Sequence, residues 1–105
     1  MKIGFIERHK YRRELREKID NYFALQVNRH NTYLLARDMH GEGDVRVRQV
    51  QSDFKRISRD LLELKFKFAT SKLKEAKNAW FFRKKRILKY ESELRAIERE
   101  FKQID

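Results

Sequence analysis

The chain has 105 residues, of which 41% are charged and 40% hydrophobic, and its 27 basic and 16 acidic residues give a net charge of +11. This length allows one domain at most, and the charge content leaves little apolar material for a compact core, so we expect an elongated protein. The absence of cysteine excludes a disulfide framework and a thiolate metal site. No apolar run approaches the roughly 20 residues needed to cross a bilayer, so no membrane span is predicted.

The first forty residues predict an irregular N-terminal arm followed by one helix. Residues 1–11 carry apolar side chains without clear periodicity, whereas residues 12–18 read RRELREK, a run of good helix formers. Asp20 and Asn21 are candidate N-caps of a first long helix that ends near Met39. The apolar side of this helix is predicted to hold Tyr22, Phe23, Val27, His30 and Leu34.

The Gly41-Glu42-Gly43 segment is the one obvious place for the chain to reverse, because there is no proline and only three glycines. Gly41 suits the left-handed position past a helix C-terminus, and Asp44 suits the N-cap of the next helix. At about 1.5 Å per residue, residues 20–39 and 44–64 would each span roughly 30 Å. We therefore predict an all-α fold in which residues 1–64 form an N-terminal arm and a helical hairpin, and residues 65–105 form a C-terminal helical extension.

Two apolar stripes run along the stretch from Asp44 to Ile104, with the spacings typical of a helix that packs on other helices. They are out of phase by five residues, or roughly 140° at about 100° per residue, so one partner cannot cover both. We expect the extension to project onto another subunit, with a break near residues 69–71, and to order only in an assembly. The first stripe is Val47, Val50, Phe54, Ile57, Leu61, Leu64 and Phe68, and the second is Phe66, Ala69, Leu73, Ala76, Trp80, Ile87, Tyr90, Leu94, Ile97, Phe101 and Ile104.

The core of the hairpin is predicted where the first stripe meets the apolar side of the first helix. The two arms match in length and face one another across the Gly41 turn. This predicts that Phe23, Val27 and Leu34 pack against Val47, Val50, Phe54, Ile57 and Leu61.

Most of the positive charge lies on residues 45–90, whereas residues 91–105 are acid-rich. A solvated helix face would mix the two signs more evenly, so this asymmetry favours a polyanionic partner such as nucleic acid. Acidic protein and anionic lipid compete as partners on charge alone.

Two segments in order around the Gly turn match a family pattern. The first is Glu14-Leu15-Arg16-Glu17-Lys18, preceded by Arg12-Arg13. The second is Val47-Arg48-Gln49-Val50-Gln51-Ser52-Asp53-Phe54-Lys55-Arg56-Ile57. Over residues 12–64 the chain resembles the large-subunit ribosomal protein of universal family twenty-nine, in particular its organellar members, which carry C-terminal helical extensions. Ser52 and Lys55 depart from that pattern.

The resemblance implies a helical hairpin on large-subunit ribosomal RNA near the exit of the polypeptide tunnel, beside neighbouring large-subunit ribosomal proteins. It implies a structural role on the ribosome, and it favours the mitochondrial matrix over the bacterial cytoplasm as the location. The basic side chains would neutralise phosphates and recognise helix shape rather than base sequence. The candidate RNA-binding residues are Arg12, Arg13, Arg16, Lys18, Arg46, Arg48, Lys55, Arg56, Arg59, Arg83, Lys84, Lys85 and Arg86.

The Trp80-Phe81-Phe82 segment places three consecutive aromatic side chains before four cations. They cover most of a helix circumference, so at least one must face away from any single neighbour. Ordinary side contacts would explain them, but we favour a mixed protein and RNA site. The candidate protein-interface residues are Trp80, Phe81, Phe82, Tyr90, Leu94, Ile97 and Phe101.

The sequence carries no pattern that indicates catalysis. His9, His30 and His40 share no metal-like spacing, and the carboxylates stand singly among basic residues. We expect no enzymatic activity, no metal, no cofactor and no small-molecule substrate.

Two other functional classes compete with the ribosomal hypothesis. One is a basic coiled-coil adaptor or assembly protein that binds an acidic protein partner, which nuclease would not release. The other is a DNA-binding helix pair, which is disfavoured because no recognition helix after a tight turn can be identified.

Overall fold

The computed structural model describes residues 5–79 and 82–104, which form three helices and no strand. These are α1 (Phe5–His40), α2 (Val45–Lys77) and α3 (Arg83–Ile104). Helices α1 and α3 each pack on α2, and within the described residues they do not pack on each other. The molecule measures 57 × 25 × 21 Å. The all-α hairpin with a C-terminal helix is therefore confirmed, and the shape is elongated.

The turn between α1 and α2 follows the predicted chemistry. Gly41 has a φ of 81°, in the left-handed region that glycine adopts without steric cost. Its N–H donates to the Arg37 carbonyl at 2.8 Å, which satisfies one of the last carbonyls of α1. The Asp44 carboxylate caps α2 by accepting from the Arg46 N–H at 2.8 Å and from the Arg46 guanidinium at 3.1 Å. Both predicted cap positions are confirmed.

The seam between α1 and α2 is antiparallel and rich in polar side chains. Gln26 donates to the Ser58 hydroxyl at 3.0 Å, and the rings of His30 and Phe54 lie 5.5 Å apart. On the α2 side, the most buried side chains are Val47 and Leu61. On the α1 side, buried or half-buried residues recur every three or four positions: Arg12, Leu15, Ile19, Tyr22, Gln26, Arg29 and Tyr33.

The predicted hairpin core is correct for α2 and partly wrong for α1. Val47, Ile57 and Leu61 are buried as predicted, whereas Phe23 and Val27 are 56% and 46% exposed. The error has a physical cause. Apolar side chains are spread around α1 and several of its seam positions are polar, so apolarity alone does not identify the side that faces α2.

Helix α1 begins well before the predicted start, so the expectation of an irregular arm over residues 1–11 is wrong from residue 5 onward. Arg8, Tyr11 and Arg12 lie against the C-terminal part of α2, so the early turns have a packing surface. Asp20 and Asn21 lie inside the helix and cap nothing. A 36-residue α1 therefore runs alongside the whole of the 33-residue α2.

The sequence predicted that the extension projects away from the hairpin, and this prediction is wrong. Helix α3 folds back on α2, and Ile97 forms a cluster with Leu62 and Ala69, flanked by half-buried residues of α3. No break occurs at residues 69–71, because Ala69 is buried against α3 and α2 continues to Lys77. The predicted boundary between residues 64 and 65 thus falls inside α2, whose two apolar stripes serve two partner helices.

Helix α2 ends at Lys77, six residues beyond the predicted break at residues 69–71. The last turn tightens, because the N–H groups of Asn78 and Ala79 donate to carbonyls three residues earlier, each at 3.1 Å. Phe82 then takes a φ of 55°, in the left-handed region, before α3 starts. No described helix is long and apolar enough to cross a membrane.

We expect Leu61→Ala to lower the free energy of unfolding by about 2–5 kcal/mol, because Leu61 is 2% exposed and its truncation leaves a cavity. Leu35→Ala is the matched control, since Leu35 is 64% exposed, and it should change that free energy by no more than about 0.5 kcal/mol. Urea unfolding followed by circular dichroism measures both values. Equal losses in the two variants would contradict the described seam.

The Asp44 cap predicts a pH-dependent step. The hydrogen bonds from Arg46 lower the pKa of the Asp44 carboxyl from 3.8 to about 2. A carboxyl group whose pKa is lowered on folding stabilises the fold at pH values above its unfolded-state pKa. That contribution is lost as pH falls through its folded-state pKa. We therefore expect the start of α2 to lose stability between pH 3.8 and about 2. In Asp44→Asn, which keeps an acceptor but does not titrate, nuclear magnetic resonance of residues 45–48 should show no such step.

Candidate nucleic-acid interface

One stripe on α2 changes from apolar to basic along its length. Arg48, Lys55 and Arg59 lie seven and four residues apart, and Leu62 follows three residues later, so all four share one face of the helix. The same spacing continues through Phe66, Ala69 and Leu73.

The change from apolar to basic coincides with the end of α3. Leu62 and Ala69 pack against α3, whose last residue, Ile104, belongs to the same cluster. Towards the N-terminus of α2 the stripe continues past the end of α3, and Arg48, Lys55 and Arg59 are exposed there. We call these three residues the distal basic stripe.

Two further predicted cations flank this stripe, and both are exposed and paired with neighbouring acids. Arg56 lies 3.7 Å from the Asp53 carboxylate, one turn away. Arg46 contacts the Asp44 carboxylate at 3.1 Å, and this contact raises the pKa of its guanidinium. Exposed pairs of this kind exchange partners at little cost, so both cations can also reach a phosphate.

A second group of cations gathers at the other end of the molecule, around Phe68. The Arg16 guanidinium of α1 and the Lys72 ammonium of α2 each lie 5.8 Å from the centroid of the Phe68 ring. Both distances lie within the range of a cation–π contact. Two cations from different helices therefore share one aromatic ring.

Helix α3 adds two more cations to this group. Partial burial lowers the pKa of Lys72, and the positive charges of Arg12, Arg16, Arg86 and Lys89 lower it further. Lys89 also lies 5.5 Å from the Tyr90 ring. We call Arg16, Lys72, Arg86 and Lys89 the three-helix cation cluster. Sequence reasoning selected Arg16 and Arg86 but missed Lys72 and Lys89, because neither lies in a motif.

Arg12 was predicted to contact RNA, and the structure corrects this. Arg12 is 6% exposed and forms an ion pair with Glu75 of α2. Its guanidinium is therefore engaged within the seam and is not displayed to a ligand. Its neighbours Arg13 and Lys18 are exposed.

The predicted clamp of residues 12–18 with residues 48–59 is not formed. Arg16 contacts Phe68, which lies 20 residues along α2 from Arg48, or roughly 30 Å at about 1.5 Å per residue. The antiparallel pairing of α1 and α2 places Arg16 beside the C-terminal half of α2, whereas Arg48, Lys55 and Arg59 lie in its N-terminal half. The candidate surface therefore has two separate basic regions.

A groove near the start of α1 adds cations that the sequence did not single out. It is lined by Arg8 and Tyr11 of α1 and by Lys67 and Lys74 of α2, among others. Tyr11 is 48% exposed, so its ring is available for stacking beside the cations. These four residues lie outside both matched motifs.

The first turn of α3 carries four consecutive exposed cations, residues 83–86, and no acid. The positive end of the helix dipole adds to their charge. Phe82, just before them, is 74% exposed. Trp80 and Phe81, which were predicted to belong to the same mixed protein and RNA site, lie outside the described residues.

The residues predicted to bind another subunit through α3 are largely used within the chain. Ile97 is 8% exposed and packs on α2, with Leu94 and Phe101 half-buried beside it. Tyr90 is half-buried as well. The prediction of an intermolecular interface is corrected for Leu94, Ile97 and Phe101, because the fold-back of α3 packs them on α2.

The part of the chain that the structure describes contains no group of three or more histidine, aspartate and glutamate side chains placed to hold a metal ion. Comparison of the chain with protein-family models, curated proteins and solved structures found no match. The ribosomal resemblance therefore depends on the two sequence motifs alone.

Removing the carboxylate that pairs with Arg12 should destabilise the fold more than removing an exposed one. We expect Glu75→Ala to cost about 1–3 kcal/mol of unfolding free energy, because it leaves a buried guanidinium without its partner. Asp53→Ala is the matched control. Its pair with Arg56 is exposed, so the expected cost is about 0.5 kcal/mol or less. Thermal or urea unfolding of the two variants checks this, and equal costs would contradict a buried role for Arg12.

Proposed function

We propose that this chain binds ribosomal RNA as a structural constituent of the large ribosomal subunit, near the exit of the polypeptide tunnel. The observation that carries the RNA part is the distal basic stripe. It occupies the same face of α2 that α3 covers further along, and its three side chains are exposed. The ribosomal part rests on the resemblance of residues 12–64.

The charge distribution supports a phosphate backbone as the ligand. The distal basic stripe lies along one helix, and at about 1.5 Å per residue Arg48 and Arg59 are roughly 16 Å apart. Such a row can contact successive phosphates and release their counterions. Long, flexible cations on a helix surface neutralise phosphates and follow helix shape, and they carry little base specificity.

The elongated shape suits a protein that lies along RNA. Basic side chains occupy both ends of a molecule 57 Å long. Contacts at both ends would fix its orientation on the RNA, which is the function of a structural subunit. Neighbouring large-subunit proteins would then contact the surfaces that RNA leaves open, and the resemblance favours the mitochondrial matrix as the location.

The basic coiled-coil adaptor is the competing function. The exposed apolar side chains of α1 favour it, since Phe23, Leu35 and Met39 are 56%, 64% and 75% exposed and could contact a protein. An acidic protein partner would resist nuclease, whereas RNA-dependent association would not. Co-sedimentation with ribosomal particles before and after nuclease treatment separates the two functions.

We expect the Arg48→Ala, Lys55→Ala double variant to weaken association with ribosomal particles and to lower the slope of log affinity against log salt by about two. Each lost phosphate contact reduces the slope by roughly one. Sedimentation across a salt series measures this effect.

The Arg95→Ala, Arg99→Ala double variant is the matched control. It removes the same charge from exposed positions in the acid-rich half of α3. Its salt slope should equal that of the wild type. Identical slopes in all three proteins would exclude the distal basic stripe from RNA binding.

A further inference from the structure

The three-helix cation cluster exists only when α3 is folded back on α2. Arg16 belongs to α1, Lys72 to α2, and Arg86 and Lys89 to α3. Within the described residues α1 and α3 both pack on α2 but not on each other, and Lys72 of α2 shares the Phe68 ring with Arg16 of α1 and feels the charges of Arg86 and Lys89 of α3. We call the surface of α2 around Lys72, between α1 and α3, the notch. The docking of α3 thus brings like charges together on the two sides of this notch.

This arrangement opposes the docking of α3 in the absence of a ligand. The strongest charge effects on Lys72 all come from cations, and its partial burial weakens solvent screening. Glu75, the acid nearest to Lys72 in sequence, already pairs with Arg12. The aromatic faces of Phe68 and Tyr90 contact three of the cations but add no negative charge.

The apolar contact that opposes this repulsion is small. Only Ile97 of α3 falls among the buried residues in the described part of that helix. A modest change in electrostatic energy can therefore shift the balance between docked and undocked α3.

We propose that the notch between α1 and α3 is a binding site for consecutive phosphates of an RNA strand, held by Arg16, Lys72, Arg86 and Lys89, and that occupancy locks α3 onto the hairpin. A multivalent phosphate converts the repulsion among the four cations into attraction to a shared ligand. RNA binding and the docking of α3 are then linked, and each strengthens the other. This inference rests on the proposed RNA-binding function.

Inorganic tripolyphosphate is the probe, and hydrogen exchange of the full chain is the measurement. At a concentration about 100 times its dissociation constant, tripolyphosphate should slow exchange across residues 86–101 by about 100-fold. Sodium chloride at the same ionic strength should slow it much less, because screening alone supplies no bridging anion. Equal effects of the two salts would overturn the proposal.

Two variants test the site directly. Lys72→Met keeps the length of the side chain but removes the charge, so it should slow exchange of α3 without ligand and abolish most of the tripolyphosphate effect. Lys89→Gln, at an exposed position of α3, should act in the same direction. If both variants respond to tripolyphosphate as the wild type does, the site is wrong.

Lys55→Met is the matched control, because it removes a lysine from α2 in the distal basic stripe. It should weaken association with ribosomal particles but leave the tripolyphosphate effect on α3 unchanged. A loss of that effect in Lys55→Met would overturn the assignment to the notch. If the wild type responds to tripolyphosphate but does not sediment with ribosomal particles, the phosphate site stands and the ribosomal role fails.

Discussion

Helix α2 is the element on which the other two helices depend, because α1 and α3 do not pack on each other within the described residues. The adjacent residues Leu61 and Leu62 illustrate how one helix holds two partners. Both are buried, yet consecutive positions point about 100° apart around a helix. Leu61 belongs to the stripe that lines the α1 seam, and Leu62 belongs to the cluster with Ile97 of α3. Disruption of α2 would therefore separate both neighbours at once.

The described parts of the two partner helices cover different lengths of α2. Helix α1 has 36 residues and runs along all of α2, whereas α3 has 22 residues and ends opposite Leu62. On the face that α3 covers, α2 carries apolar side chains, and beyond its end the same face carries Arg48, Lys55 and Arg59. The same face of α2 therefore changes from apolar residues that pack on α3 to basic residues that carry the proposed RNA contact.

Local signals in the sequence predicted the parts of the fold that depend on local chemistry. Gly41 and Asp44 predicted the turn. The phase shift between the stripes correctly indicated that one partner cannot cover both, but the second partner was expected in another subunit and is α3 of the same chain. The seam position of α1 was not predictable from apolarity, because Arg12 and Gln26 occupy it through pairs with α2 residues remote in sequence. The three-helix cation cluster was missed because its residues, too, are remote from one another in sequence. Its members come from three helices, and only the fold-back of α3 brings them together.

The polar seam also affects the stability of the free chain. Paired polar groups specify a register, but they add less net stability than apolar packing. The Arg29 Nε is buried in the described structure without a hydrogen-bond partner, which adds a further cost. The net charge of +11 opposes a compact state through self-repulsion. The proposed polyanion would relieve that repulsion, and at the three-helix cation cluster it would stabilise the contacts between helices that bring the cations together. Affinity for RNA and order in α3 should therefore change together.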